Sequence, residues 1–275
     1  MKKSLQCFFL FICSISVYAE TITWFTLNRP PWFIENGMGY GDRMQASYMA
    51  LLPQYQHKSL MVNLARMNVE MQKGTKFCIS SSADIPAIRR YMHMSKSLYI
   101  LPRPKIFMKQ ETHIKMGRPA MISIKKLAAN IEYRMGIIGG VNHLPIRSED
   151  YAESQHVTII SNSYPIISIM QMVDLGRIDW AADFPHMVQW GASSGNIKID
   201  KVFVMVDIEE YQGIESLRSG IACTRNSWGL VIIDKLNSLV NKKTILTNRE
   251  WTSKWMPPGA VKEEFFRLNE VEFGY

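Results

Sequence analysis

The sequence predicts an α/β protein made of two strand–helix units, each a mostly parallel sheet flanked by helices. Three observations carry that prediction. Short β-branched and aromatic runs alternate with longer amphipathic stretches. The alternation occurs twice, in two halves separated by a proline-interrupted apolar run at 99–108. Single Pro and Gly residues such as Pro53, Gly74 and Gly176 close the helical stretches where a stop is needed.

Thr21–Leu27 (TITWFTL) reads as the first strand and is broken by Asn28-Arg29-Pro30-Pro31. Beyond the glycine loop 37–41, Asp42 is placed as a helix N-cap, with Met44, Tyr48, Leu51 and Leu52 at helical spacing. Lys58–Val62 is the second strand, Leu64–Lys73 a helix ending at Gly74, and Phe77–Ile79 the third strand. In the second half, Ile124–Ala129 reads as a helix and Arg134–Ile138 as a strand ending in Gly139-Gly140. A further helix is expected from Asn142 or Pro145, then a strand at Val157–Ile160. Ser163 is placed as the cap of a helix that buries Ile166, Ile169, Met170 and Val173, followed by a strand at Ile178–Ala182. Strands at Lys201–Val206 and Ser219–Thr224, an amphipathic helix over Trp228–Asn241 and a partly helical tail complete the chain.

The first residues, MKKSLQCFFLFICSISVYAE, carry Lys2 and Lys3, an apolar stretch over Leu5–Val17 and the cleavage-like Val17-Tyr18-Ala19. That pattern predicts a secretory signal peptide over 1–19 and a mature chain of 256 residues. The alternative, lipidation at Cys13, is disfavoured by the bulky Leu10-Phe11-Ile12 before it. The net charge of +8 falls to +6 without Lys2 and Lys3, and the basic residues form no block, so nucleic-acid binding is not expected. Cys78 and Cys223 remain in the mature chain; an oxidising compartment favours their pairing, with two buried free thiols as the alternative.

No catalytic or cofactor motif is present. The Gly37–Gly41 loop lacks phosphate-loop spacing, the six histidines form no H-x-x-H or H-E-x-x-H pair, and no G-x-S-x-G occurs, so neither a metal nor a cofactor is expected. What stands out is polar residues at the ends of expected strands, where open α/β sheets collect ligands. These are Trp32 after the first strand, Ser80, Ser81 and Ser82 after the third, then Asn142 and Asp183. Arg89 and Arg90 follow the serines and offer a guanidinium fork for a small carboxylate.

The segments IRRYMHMSKSLY and GRIDWAAD and the ending GIACTRNSWGLVIIDKLNSLV…EWTSKWM resemble the extracellular solute-binding proteins of family 3, the amino-acid-type periplasmic binding proteins of type II fold. Gly39-Tyr40-Gly41-Asp42, Leu52 to His57, Asn63 with Arg66, and Trp228-Gly229 are similar to segments of an uncharacterised branch of that family. The resemblance implies two α/β lobes joined by crossovers near Leu101–Lys105 and Leu217–Ile221. Residues 20–103 and 220–275 would form lobe 1 and residues 104–219 lobe 2. Cys78 and Cys223 would share lobe 1 and form a disulfide.

The resemblance further implies that Trp32 stacks on the ligand, that Ser80–Ser82 with Arg89 and the Gly140–Asn142 turn hold its carboxylate, and that Asp183 takes its amino group. Two departures stand out: the family's arginine would fall at Ile88, one residue before Arg89, with Met94-Ser95 in place of Phe-Ser, and the acidic residue after Gly176 arrives one position earlier than in the usual amino-acid binders. The expected function is a monomeric periplasmic binding protein, not an enzyme, that delivers a small amino-acid-like or carboxylate ligand to an ABC-transporter permease or a membrane sensor. The alternatives are a cyclohexadienyl-dehydratase-like enzyme on the same scaffold and a binding fold turned to protein contacts.

Overall fold

The computed structural model describes residues 19–141, 143–197, 203–214 and 216–275. The expected signal peptide and Asn142 lie outside the described residues. Two sheets organise the chain. The first holds β1 (Thr21–Leu27), β2 (Gln56–Val62), β3 (Cys78–Ala83), β4 (Met92–Met94), β5 (Tyr99–Pro102) and β12 (Ser216–Thr224). The second holds β6 (Lys105–Lys109), β7 (Met121–Ile122), β8 (Met135–Ile138), β9 (Val157–Ile160), β10 (Trp180–Asp183) and β11 (Phe203–Ile208).

In the first sheet β2, β1 and β3 run parallel, and β12 inserts antiparallel between β3 and β4 and also pairs β5. The second sheet has the order β7-β11-β6-β10-β8-β9, with β6 antiparallel to both neighbours. The proline-interrupted run at 99–108 is therefore two strands in two sheets, divided at Pro102–Pro104 where backbone donors are missing.

Helices cover the parallel parts: α1 (Tyr40–Leu51), α2 (Leu64–Lys73) and the one-turn α3 (Pro86–Arg89) follow β1 to β3. In the second unit α4 (Gln110–Lys115), α5 (Ile124–Ala129), α6 (Pro165–Asp174) and α7 (Pro185–Ser194) do the same. At the end come α8 (Ser227–Leu239), α9 (Lys242–Ser253) and α10 (Ala260–Phe273).

Several local expectations shift. Asp42 is not the N-cap of α1 but sits in its first turn, where its carboxylate accepts the Gly39 and Ile34 N–H groups at 3.0 and 2.9 Å. β3 extends through Ala83, so the three serines lie inside a buried strand rather than beyond its end. Residues 143–147 form bends followed by a short 3-10 helix at Ser148–Tyr151, because Pro145 and the positive φ of Gly140 (77°) stop a helix from starting at the strand end. Ser163 does not cap α6; Tyr164 occupies the cap position and Pro165 the first turn.

The core has three parts. Ile106, Phe107, Met135, Ile169, Met170 and Trp180 anchor the cluster of the second sheet. Two clusters cover the first sheet, one of which also takes in Phe184 and Met187 from the β10–α7 connection. Apolar packing thus crosses from one sheet to the other beside the cleft.

Cys78 on β3 and Cys223 on β12 are disulfide-bonded across the strand pair, 145 residues apart in sequence and both fully buried. Closing so long a loop removes much entropy from the unfolded chain. A Cys78→Ala/Cys223→Ala variant should lose on the order of 2–5 kcal/mol of unfolding free energy. Urea titration of oxidised wild type against the variant measures this; coincident midpoints would show that the bridge contributes nothing.

Candidate functional site

The cleft between the sheets is built around a charge pair that the sequence did not announce. Arg29 follows β1 and is 6% exposed; Asp183 ends β10 and is 1% exposed. One terminal nitrogen of Arg29 donates to both carboxylate oxygens of Asp183 at 2.8 Å. Asp183 also accepts the Phe184 N–H at 2.8 Å. His143 Nε2 stands 3.3 Å from Asp183 Oδ1, close enough for electrostatic contact but off the hydrogen-bonding direction. Its ring stacks on Phe184 at 4.9 Å. On the same side the Tyr40 hydroxyl pairs with His186 Nε2 at 3.1 Å, again joining the two units.

These groups share one dry environment. Burial would raise the Asp183 carboxyl, but the Arg29 guanidinium, with His143 and the Phe184 N–H, outweighs it and holds the carboxyl well below the usual range. Burial pushes His186 down to about 3, and burial and then Arg29 lower His143, so both rings are neutral near pH 7. Burial raises the Tyr40 hydroxyl well above its ordinary value.

Around the pair lies a small cavity of about 60 Å³ whose walls include Trp32, Ser81, Ser82, Tyr99, His143 and Phe184. The Trp32 indole N–H is buried there without a partner. Ser81 Oγ bonds the Tyr99 hydroxyl, and Tyr99 is pushed up to about 12 by burial against the opposing bonds from Ser81 and Ser219. The expected residues divide. Trp32, Ser81 and Ser82 line the cavity with Arg29, and Asp183 is bound to that arginine. Ser80 points to α1 instead, donating to the Gly41 carbonyl at 3.0 Å.

Arg89 is not at the cleft. Its guanidinium pairs through two nitrogens with Asp84, and the side chain is 60% exposed. The reason is helical geometry: successive residues of α3 point about 100° apart, so the one-residue offset turns Arg89 outward and gives the cavity wall to Ile88. The guanidinium of the cleft comes from Arg29, and neither Arg29, Tyr40, His143 nor His186 stands in a spacing that sequence reasoning could pick out. The positions of Arg29 after the first strand and of Tyr40 in a quoted segment were their only signals.

The quoted segments have structural work. A Cβ on Gly39 or Gly41 would come within 2.4 Å of Trp32 atoms, so both glycines make room for that residue. His57 links the Trp24 indole (3.1 Å) to the Leu52 carbonyl (3.0 Å). Asn63 caps α2 by accepting the Arg66 N–H at 2.7 Å. Gly229 lets α8 approach β12, since a Cβ there would meet the Thr224 carbonyl oxygen at 2.0 Å. Among the described residues no group of three His, Cys, Asp or Glu is placed to hold a metal, and no helix is long and apolar enough to cross a membrane.

Comparison with known proteins gives a consistent fold. No protein-family model matches the chain, and no curated protein does. Solved structures do. A histidine kinase sensor domain with similarity to periplasmic binding proteins matches with a TM-score of 0.61 at 13% identity, over 86% of this chain and 96% of that one. A putative L-cystine ABC transporter protein from Listeria monocytogenes gives 0.59 at 16% identity, over 86% and 96%. An arginine-specific periplasmic binding protein from Salmonella typhimurium gives 0.56 at 10% identity, over 85% and 99%. These likenesses show the fold: two lobes of mixed α/β structure in the type II periplasmic binding arrangement.

The neutral buried histidines make stability sensitive to acid. Their pKa values lie below those of an unfolded chain, so below about pH 6.5 the unfolded state takes up protons that the folded state refuses. For His186 stability should fall by about 1.4 kcal/mol per pH unit as the pH drops towards 3, and His143 adds a loss in the same direction. Asp183, held low, adds a loss only at the acid end, as its carboxyl is protonated. Urea unfolding at pH 7, 5.5 and 4.5 should give a shallower decline for His186→Gln than for wild type; parallel declines would mean that His186 titrates normally.

Proposed function

We propose that the chain is an exported solute-binding clamp that captures a small amino-acid-like or carboxylate ligand between its lobes. The observation that carries this reading is the Arg29–Asp183 pair, two buried opposite charges contributed by the two lobes at the centre of the cleft. A zwitterion or a carboxylate can exchange with either partner, and a hinged two-lobe fold is suited to closing on it. Residues 20–103 and 216–275 are proposed as lobe 1 and the residues between them as lobe 2, with the β5–β6 and β11–β12 connections as crossovers; the second crossover expected at Leu217–Ile221 falls inside β12, a strand of the first sheet, so that boundary moves ahead of Ser216. Trp32, Ser81, Ser82, Asn142 and Asp183 keep their proposed ligand roles; Arg29 takes the role expected of Arg89, and Ser80 supports the strand.

The mature chain is proposed to act in the periplasm as a monomer, after removal of residues 1–19. The matched structures include the binding protein of an amino-acid ABC transporter and a kinase sensor domain, so the partner class is a permease or a membrane sensor. Catalysis is not part of this reading. Asp42 is engaged with backbone N–H groups and Asp183 with Arg29, which leaves only Glu35, at the exposed rim, as an acid near the cleft. One observation favours a second reading, a clamp retired to protein contacts: the central cavity measures only about 60 Å³.

Thermal denaturation with a library of amino acids, polyamines and small carboxylates separates the two. A ligand at 100 times its Kd adds about 2.7 kcal/mol, or roughly 5–10 °C in Tm for a chain of this size. One chemical class should produce such a shift. Folded protein that responds to no member of the library would support the second reading.

A further inference from the structure

Beyond the central cavity the cleft has a larger chamber of about 350 Å³, and Arg29 is a wall of both. The chamber lies where the carboxyl ends of β1, β2 and β8 meet the N-termini of α2 and α6. Among the described residues Arg29 is the only charged one in its walls, and no carboxylate lines it. We propose that this chamber is an oxyanion site that takes the carboxylate or phosphate group of a small anionic ligand. The inference rests on the clamp reading and names the charge and the seat of one end of its ligand.

The guanidinium supplies the first argument. Arg29 is more than nine-tenths buried, yet both of its bonds to Asp183 leave from a single terminal nitrogen. Nε and the other terminal nitrogen donate to no described residue. Arg29 stands at the chamber wall with these donors in a fixed fork, and the group that matches two parallel N–H bonds is a planar carboxylate or a phosphate.

The helix ends supply the second. α2 and α6 each have ten residues, and one belongs to each lobe. Asn63 caps only the Arg66 N–H, which leaves the amides of Leu64 and Ala65 at the chamber wall. α6 has no side-chain cap, and its first residue, Pro165, stands at the chamber wall. Both helix dipoles add positive potential to the same space. The Ser161 and Ser163 hydroxyls at the rim bond no described residue. Gly139 leaves the room for Ser161 Oγ, which a Cβ there would meet at 2.2 Å. Asn28 carries a buried side-chain oxygen without a partner, and half a turn of its amide would present an NH2 instead.

Calorimetric titration of the mature protein with inorganic phosphate, acetate and succinate in low-salt buffer tests the site. At least one anion should bind saturably, and the one that does separates a phosphate from a carboxylate ligand. Arg29→Gln removes the fork. Ser163→Asp places a carboxylate at the exposed rim without touching the Arg29–Asp183 pair, so it decides the matter should Arg29→Gln fail to fold. Each should weaken binding by about tenfold or more, as expected when a charge-assisted contact is lost or opposed, whereas Arg89→Gln should leave it unchanged. No saturable binding of any of the three anions, or binding unaffected by Ser163→Asp, would overturn the oxyanion site. A zwitterion whose thermal shift survives Ser163→Asp would also overturn it while leaving the clamp reading intact.

Discussion

The centre of this molecule depends on one buried ion pair. Arg29 and Asp183 come from different sheets, and each is out of water. Removing a single partner from such a pair leaves an uncompensated buried charge, at a cost of about 3–5 kcal/mol. The neighbours obey that constraint. His143 and His186 are neutral and Tyr40 keeps its proton, because a further charge in the same dry space would be paid for twice, in desolvation and in repulsion. Phe184 and Met187 then close apolar surface over the polar cluster from the side of the first sheet.

The position of the arginine shows how a guanidinium can reach the cleft from a different element of the fold. In α3 a one-residue offset exchanges the cleft-facing position with a solvent-facing one, so Ile88 lines the cavity and Arg89 pairs with Asp84 at the surface. The cleft regains a guanidinium from the loop after β1, which approaches from another direction. That change of direction is why Arg29 borders two spaces at once, whereas Arg89 borders none of the cleft.

Much of the fold was legible in the sequence because its signals are local. The β1 strand, α2, α5 and β9 fall where periodicity and end signals put them. The misplaced features have non-local causes. β3 extends through three serines because β12 pairs alongside it, and nothing in a serine run announces such a partner. The chain after β8 does not form the helix expected from Asn142 or Pro145, because Gly140 has a positive φ and Pro145 restricts the residue before it. The site was legible only in part. Trp32, Ser81 and Ser82, expected from their places near strand ends, line the small cavity and Asp183 pairs with Arg29, but Arg29, Tyr40, His143 and His186 become a cluster only when the two sheets face each other. The segments that looked most distinctive, such as Gly39–Asp42 and Trp228-Gly229, turn out to serve close packing and capping.

The route of β12 has a consequence for how the chain is made. β4 finds its only sheet partner among the described residues in β12, and so does β5, although more than a hundred residues of sequence separate them. The same strand carries the cysteine that bonds β3. A chain synthesised or threaded from its N-terminus therefore presents β1, β2 and β3 with one edge of the sheet unfilled until residues 216–224 emerge. Until then Cys78 stands on an open sheet edge, so its pairing has to wait for the later segment.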